Sequence, residues 1–155
     1  MNMLRRTATA ALVTVLALLG MAVAAHADGV YHSAHIALAP VGSAPLRSGF
    51  VENTHANGPN NYAHELYVLN GAKPDVSYDV SLWIWITNQT CSGSPDLAMT
   101  TATVTTNSSG DAVGQKVFTP ADADGLRGLT VSAMWTVSMG GTAEYATDCE
   151  VVTLD

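Results

Sequence analysis

Short runs rich in Val, Ile, Thr, Tyr and Trp recur along the chain, and clusters of Gly, Pro, Asn and Asp separate them. Apolar and polar residues alternate in these runs, which is typical of strands, whereas the 3.6-residue period of an amphipathic helix is nearly absent. Eight strands are predicted, at about 31–39, 47–56, 62–69, 76–87, 97–106, 111–118, 129–139 and 143–153. Because no helices intervene, the predicted fold class is all-β, either an antiparallel sandwich or a barrel. We favour an antiparallel two-sheet sandwich of about seven to eight strands with Greek-key connections.

Two linking segments carry predictions of their own. Asn107–Gly110 is rich in turn-forming residues and is predicted to be a hairpin loop between the fifth and sixth strands. Thr119–Asp122 is predicted to form one short helical turn, because Thr caps a helix N-terminus and Pro is favoured at the first helical position. This turn would carry the chain across from one sheet to the other.

The register of the last hairpin follows from its hydrophobic pattern. A two-residue Gly140-Gly141 turn would set Val137 opposite Glu144 and mix apolar with acidic residues on one face. We therefore predict a three-residue Gly140–Thr142 loop, or an equivalent bulge. That arrangement would instead pair apolar residues across the hairpin: Val137 with Tyr145, and Val131 with Val151.

The first 27 residues are typical of a cleaved export signal. Met1–Arg6 carries positive charge, Ala8–Ala24 is apolar, and Ala25-His26-Ala27 is a small-x-small cleavage site. We expect a signal peptide at residues 1–27 and a single β-sandwich domain at residues 28–155. The mature protein is expected to be secreted and extracellular, without a stable membrane anchor after cleavage.

The charge balance excludes two classes of partner. The full chain has 6 Lys and Arg residues against 13 Asp and Glu residues, and two of the cations, Arg5 and Arg6, leave with the signal. A domain so poor in cations cannot neutralise a run of phosphates, so nucleic acid is not an expected partner. An anionic membrane surface is not expected for the same reason.

Two cysteines, Cys91 and Cys149, are the only ones in the chain. An even number of cysteines in an exported protein predicts a disulfide, here between these two residues. A reactive thiol or a metal-binding pair is the alternative. Neither is favoured, because no CxxC motif and no nearby histidine accompanies the two residues.

The segment Leu69–Val80 reads LNGAKPDVSYDV, with a proline four residues before a tyrosine. It resembles the turn-into-strand signature of fibronectin-III and immunoglobulin-like sandwiches, in which the tyrosine hydroxyl hydrogen-bonds back to the corner backbone. The resemblance implies an Ig-like sandwich with Pro74 and Tyr78 as its tyrosine corner. It implies no chemistry.

The same stretch is similar to secreted copper-zinc superoxide dismutases, which have a Gly-x-x-Pro turn before a strand that carries a His-x-His copper pair. When Gly71 and Pro74 are aligned with that turn, Val80 and Leu82 stand at the two histidine positions. Dismutase activity is therefore not expected.

Four histidines fall early in the predicted domain: His32, His35, His55 and His64. Neutral imidazole is a good ligand for zinc and copper. His55 and His64 flank a predicted turn and could face each other as a metal-binding pair, with Glu52 and Glu65 as further ligands. The alternative is four separate surface histidines, since His32 and His35 would lie on opposite faces of a strand.

Trp83 and Trp85 alternate with Leu82, Ile84 and Ile86 in the fourth predicted strand, so both faces of that strand are apolar. The face with the even-numbered residues is the better core face. One hypothesis is that the two tryptophans form an exposed platform for a sugar ring or an apolar partner. The alternative, which we favour, is a central strand whose tryptophans are covered by a loop or a neighbouring strand.

No pattern in the chain indicates catalysis. There is no nucleophile elbow and no glycine-rich phosphate loop, and no histidine follows His64. We expect a non-enzymatic, disulfide-stabilised binding or structural module with an unidentified protein or glycan partner and no cofactor. Carbohydrate or apolar-partner binding through Trp83 and Trp85 and metal binding through the histidines are the alternatives.

Overall fold

The computed structural model describes residues 32–55, 62–123 and 125–154. The signal peptide predicted at residues 1–27 lies outside the described residues, and so do residues 57–61 of the turn that follows His55.

The described residues form nine strands, and every paired strand is antiparallel to its neighbour. In chain order they are β1 (His32–Pro40), β2 (Ser48–His55), β3 (Ala63–Asn70), β4 (Ser77–Trp85), β5 (Leu97–Thr105), β6 (Ala112–Phe118), β7 (Thr130–Met139), β8 (Thr142–Thr147) and β9 (Glu150–Thr153). The prediction of an all-β, antiparallel fold is confirmed. The eighth predicted strand is divided into β8 and β9, because Asp148 and Cys149 leave the ladder.

The strands follow one continuous hydrogen-bonded path, β5-β4-β7-β8-β1-β2-β3-β6, and β9 pairs with β7. The expected division into two separate sheets is therefore not found. The reason is β1, whose residues 32–37 pair with β2 while residues 38–40 pair with β8. The path also curls round until its ends meet: Val104 of β5 packs where a Cβ on Gly114 of β6 would stand. The sheet is thus nearly barrel-shaped, with the core inside.

The Asn107–Gly110 segment is a tight loop, but it does not join a hairpin. β5 pairs with β4, and β6 pairs with β3, so the loop passes between the two ends of the strand path. The loop is held against the turn between β3 and β4, since Ala72 donates its backbone N–H to the Gly110 carbonyl at 2.9 Å. This contact directs β6 toward β3, which the turn residues alone do not indicate.

The β7–β8 hairpin combines a short turn with a bulge. Met139 lies opposite Thr142, which leaves only Gly140 and Gly141 in the turn, and a register shift follows between Val137 and Ser138. The shift makes Glu144 the extra residue. The bulge restores the predicted pairing of apolar residues, with Val137 opposite Tyr145. Further along, Val131 pairs with Val152 rather than with Val151, because Asp148 and Cys149 interrupt the strand before β9.

The core contains four fully buried aromatic side chains: Tyr67, Tyr78, Trp135 and Tyr145. The even-numbered residues of β4 face it as predicted. They include Val80 and Leu82, the two positions aligned above with copper-ligating histidines.

The tyrosine corner expected at Pro74 and Tyr78 is not formed. Tyr78 follows Pro74 at the right spacing, but its hydroxyl lies 3.2 Å from Oε2 of Glu144 and 3.3 Å from the hydroxyl of Tyr145. It therefore does not bond to the corner backbone. The ring is fully buried, and the bulge in β8 brings a carboxylate within its reach. Tyr145 is the residue that pins a turn, since its hydroxyl donates to the Pro45 carbonyl at 2.9 Å.

The predicted helical turn is confirmed as a 3₁₀ helix at Pro120–Ala123. Thr119 precedes it and donates both its backbone N–H and its hydroxyl to Oδ2 of Asp122, each at 2.7 Å. The carboxylate thus satisfies an N–H that the helix itself leaves without a partner. This short helix connects β6 to β7.

The predicted disulfide is confirmed, since Cys91 and Cys149 are bonded with their Cα atoms 5.7 Å apart. It ties the loop between β4 and β5 to the segment between β8 and β9. Within the described ranges, none of the helical structure has the length and apolar character that a membrane crossing requires.

Candidate functional site

A carboxylate is buried in β3. Residues of this strand alternate between the two faces of the sheet, and Ala63, Glu65, Tyr67 and Leu69 all point inward. Glu65 is only 1% exposed. Burying an acidic group among apolar side chains is costly unless other groups hydrogen-bond to it, so the surroundings of Glu65 are the most informative part of the interior.

Three side chains from three strands hydrogen-bond to Glu65. Asn53 of β2 donates its Nδ2–H to Oε1 at 2.9 Å, and Trp135 of β7 donates its indole N–H to Oε2 at 3.0 Å. The Tyr67 hydroxyl, two residues along β3, also contacts Oε2. We call these four residues the Glu65 cluster. Because its members come from β2, β3 and β7, the cluster connects β7 with β2 and β3 across the interior of the curled sheet.

The Tyr67 hydroxyl extends the cluster toward β5. It lies 2.7 Å from Oγ1 of Thr101, which in turn donates to the Val80 carbonyl at 3.2 Å. Thr101 is the extra residue at the irregularity in the β4–β5 register, where Val80 pairs with Ala102 and Ser81 with Thr100. The bulge therefore places a hydroxyl next to the cluster.

Burial raises the pKa of the Glu65 carboxyl above its ordinary value. The hydrogen bonds from Tyr67, Trp135 and Asn53 favour the charged form and lower the pKa, but they do not cancel the effect of burial. The pKa of Tyr67 is also raised, first by burial and then by the neighbouring Glu65 carboxylate. Both groups therefore hold their protons more strongly than they would in water.

The cluster borders a cavity of about 40 Å³. A water molecule needs roughly 10–15 Å³ of such space, so the cavity has room for about three waters or for a short apolar chain. Most of its lining is apolar. The lining residues are Asn53, His55, Tyr62, Ala63, Glu65, Leu82, Ile84, Met99, Phe118, Asp122, Leu126, Val131, Ala133, Trp135, Val152 and Leu154.

One polar atom of the cluster has no partner. Oδ1 of Asn53 is buried, and no hydrogen bond to it is found among the described residues. Asn53 itself is only 3% exposed and lines the cavity. A buried acceptor without a donor costs free energy, about 1–3 kcal/mol, so a donor brought into the cavity would be stabilised there.

Two aromatic residues and one acidic residue stand elsewhere along the cavity wall, and Arg127 lies behind one of the aromatic rings. The rings of His55 and Tyr62 meet edge to face with centroids 6.3 Å apart, and the Arg127 guanidinium lies 5.6 Å from the Tyr62 ring centroid. Asp122 lines the cavity from the 3₁₀ helix. Its hydrogen bonds from Thr119, assisted by Lys116, lower the pKa of the Asp122 carboxyl to about 2. Asp122 is therefore ionised at neutral pH.

The structure does not bring the predicted metal-binding histidines together. His55 ends β2 with its side chain buried, whereas His64 in β3 is exposed and lies 3.2 Å from Oε1 of Gln115. The two rings therefore lie on opposite faces of the sheet. Glu52 bonds instead to His35, at 2.8 Å, and β1 already begins at His32. No group of three or more potential metal ligands occurs in the described parts of the chain.

The two tryptophans of β4 do not form an exposed platform. Trp85 is 4% exposed, and its indole N–H donates to the Gly93 carbonyl in the loop that covers it. Trp83 is half-buried and donates to Oγ1 of Thr136 at 2.8 Å. β4 lies between β5 and β7, so the arrangement is the covered central strand.

The sequence pattern predicts Glu65 only as a further metal ligand, and it does not predict that Asn53, Tyr67 and Trp135 surround it. The alternation of side chains along β2 and β3 does contain a signal for this site. Asn53 lies two positions after buried Val51, on the same face of β2, and Glu65 lies between Ala63 and Tyr67 on the inward face of β3. Polar residues at inward positions of otherwise apolar strands indicate a buried polar site.

Comparisons with known proteins do not identify the chain: no family model, no curated protein and no solved structure matches it. The resemblance to fibronectin-III and immunoglobulin-like sandwiches stays a prediction.

Proposed function

We propose that this protein is an exported binding module that holds a small, mainly apolar molecule, or the apolar end of a larger one, in the cavity beside the Glu65 cluster. One observation carries the proposal: an apolar cavity that reaches a buried polar cluster with one unpartnered acceptor, Oδ1 of Asn53. Binding sites for small molecules commonly combine apolar walls with a few polar groups that fix the ligand's orientation. The proposed role is binding and includes no reaction.

Secretion is part of the proposal. The disulfide supports it, because such bonds persist in oxidising compartments. The test is to express the full chain in a secreting bacterial host and to determine the N-terminus of the released protein. A released protein that begins at Asp28 supports a cleaved signal at residues 1–27. Protein that stays with the membrane with Met1 intact contradicts it.

The binding proposal can be tested by NMR with small ligands. The chain has 3 tryptophans, and Trp135 alone among them lines the cavity. We expect n-butanol, added to the purified protein, to shift the indole N–H signal of Trp135 in a saturable way. The indole signals of Trp83 and Trp85 serve as internal controls, because these side chains bond elsewhere.

Filling the cavity should abolish this response. Ala63 and Ala133 both line the cavity and are buried, so Ala63→Val and Ala133→Val each place extra atoms in it. Ala112→Val is the matched control, since Ala112 is a buried alanine of β6 that does not line the cavity. A saturable Trp135 shift that persists unchanged in both cavity variants would contradict the proposal, as would the lack of any saturable shift in the unaltered protein.

A further inference from the structure

The hydrogen atoms of the Glu65 cluster can be counted. Three oxygen–oxygen contacts run in series, from Oε2 of Glu65 to the Tyr67 hydroxyl, from there to Oγ1 of Thr101, and from there to the Val80 carbonyl. Each contact needs one hydrogen if it is a hydrogen bond. Tyr67 and Thr101 supply one each, and the carbonyl supplies none. The third hydrogen must come from Glu65.

A protonated Glu65 satisfies every contact of the cluster. In this state the direction of the Tyr67–Glu65 bond is the reverse of that to an ionised carboxylate. The Oε2 hydroxyl donates to Tyr67, Tyr67 donates to Thr101, and Thr101 donates to the Val80 carbonyl. The lone pairs of Oε2 and Oε1 still accept from Trp135 and Asn53. No described lysine or arginine forms an ion pair with Glu65. The Glu65 cluster is therefore polar but uncharged.

One acceptor remains after this count, and it is Oδ1 of Asn53. Nδ2 of the same amide is fixed as the donor to Oε1 of Glu65, so the amide cannot turn its oxygen away without breaking that bond. A ligand that reaches this atom must bring an O–H or an N–H. The group that reaches this atom must also be uncharged, because the protonated Glu65 beside it offers no counter-charge, and the ionised Asp122 lines the cavity from the 3₁₀ helix instead.

We infer that the cavity binds an uncharged ligand with a short apolar chain and a terminal hydroxyl, and that this hydroxyl donates to Oδ1 of Asn53. The ligand class is thus short-chain alcohols, or a larger molecule that ends in such a group. The inference rests on the proposed binding function and adds the polarity and charge of the ligand. The volume of about 40 Å³ limits the inserted part to a few carbon atoms.

The test compares four ligands of similar size on the unaltered protein, with the Trp135 indole N–H as the NMR signal. n-Butanol offers a hydroxyl donor, and its isomer methyl propyl ether has the same atoms but no donor. n-Butylammonium and butyrate carry a positive and a negative charge. We expect n-butanol to bind with a Kd at least about tenfold lower than each of the other three.

The outcomes separate the inference from the function on which it rests. If methyl propyl ether binds as tightly as n-butanol, no donor is recognised and the inference fails, although the cavity still binds ligands. If n-butylammonium binds most tightly, the cavity selects a cation, through an ionised Glu65 or through Asp122, and the inference fails in the opposite sense. If none of the four shifts the Trp135 signal, the proposed function itself fails.

Two variants extend the test. Asn53→Ala removes the acceptor, so the preference for n-butanol over methyl propyl ether should fall to about twofold or less. Thr54→Ala is the matched control, because Thr54 is the neighbouring β2 residue on the other face of the sheet, and it should keep the full preference. An undiminished preference in a folded Asn53→Ala protein overturns the inference. If that variant does not fold, the four-ligand comparison on the unaltered protein still decides.

Discussion

Trp135 donates its indole N–H to Oε2 of Glu65 at 3.0 Å, across the interior of the curled sheet from β7 to β3. The two residues are 70 positions apart in the chain. Both side chains are almost completely buried, so this bond joins two strands that do not pair with each other in the sheet. It also places a completely buried tryptophan at the wall of the cavity.

Replacing this donor should destabilise the fold. Trp135→Phe removes the indole N–H and part of a buried ring, and we expect the free energy of unfolding to fall by about 2–3 kcal/mol. Urea unfolding measures the change. Trp83→Phe is the control, since that half-buried residue also loses an indole bond, to Thr136, and should cost only about 1 kcal/mol. Equal losses in the two variants would show that the bond to Glu65 does not stabilise the core.

The raised pKa of Glu65 makes stability depend on pH. A carboxyl whose pKa is higher in the folded state keeps its proton where the unfolded chain has lost it, so the folded state is favoured at acid pH. The free energy of unfolding therefore falls as pH rises from about 4.5, the ordinary pKa of this carboxyl, toward the folded-state pKa.

Glu65→Gln isolates this effect, because the amide does not titrate and a similar shape is kept. We expect the stability of the variant, measured relative to the unaltered protein by urea unfolding between pH 4 and pH 9, to increase as pH rises. The other titrating groups are common to both proteins and cancel in the difference. A difference that does not change with pH would show that the carboxyl titrates alike in both states. A difference that runs the other way would show a stabilised carboxylate.

Local patterns predicted the strands well because the side-chain period of a strand is visible in the sequence. The even-numbered residues of β4 illustrate this: Val80, Leu82 and Ile84 were placed in the core by alternation alone and are buried. The Cys91–Cys149 bond followed from the number of cysteines. The pairing of Val137 with Tyr145 followed from the requirement that apolar residues pair across the hairpin, but the three-residue loop was wrong, since a two-residue turn with a bulge produces this pairing.

Contacts between distant strands could not be predicted in the same way. Trp85 is buried on the opposite side of β4 from the even-numbered core residues, where the loop between β4 and β5 covers it. Nothing in the sequence of β4 indicates that its indole N–H will donate to the Gly93 carbonyl in that loop. The partners of Glu65 lie 12 and 70 positions away in Asn53 and Trp135. A buried acid is stable only with such partners, so its site becomes recognisable only when the strands are arranged in space.

Removing the disulfide should affect stability and also one loop. Replacing Cys91 and Cys149 together by Ala opens a link across 58 positions, and the chain-entropy relation gives a loss of about 4 kcal/mol in the free energy of unfolding. The loop that contains Cys91 also covers Trp85. We therefore expect hydrogen exchange of the Trp85 indole N–H to become faster under native conditions.

The Trp135 indole is the control for this measurement, because it bonds to the buried Glu65 carboxyl and not to the loop that the bridge holds. It should exchange more slowly than the Trp85 indole in the double variant. Equal acceleration of both signals would indicate that exchange occurs through global unfolding, and the specific role assigned to the loop would then be wrong.

Alanine substitutions at Gly110 and Gly141 distinguish the cost of backbone strain from the cost of a steric clash. Gly110 and Gly141 have nearly the same positive φ, +79° and +81°, so an alanine at either position incurs the left-handed penalty of about 1–2 kcal/mol. A Cβ at Gly110 would lie 2.0 Å from the Ala72 carbonyl oxygen, whereas nothing lies within 4 Å of a Cβ at Gly141. We expect Gly110→Ala to reduce the free energy of unfolding by more than about 4 kcal/mol and Gly141→Ala by only the penalty itself. Thermal and urea unfolding of both variants measure this, and similar losses would mean that the loop after β5 can move away from the β3–β4 turn without cost.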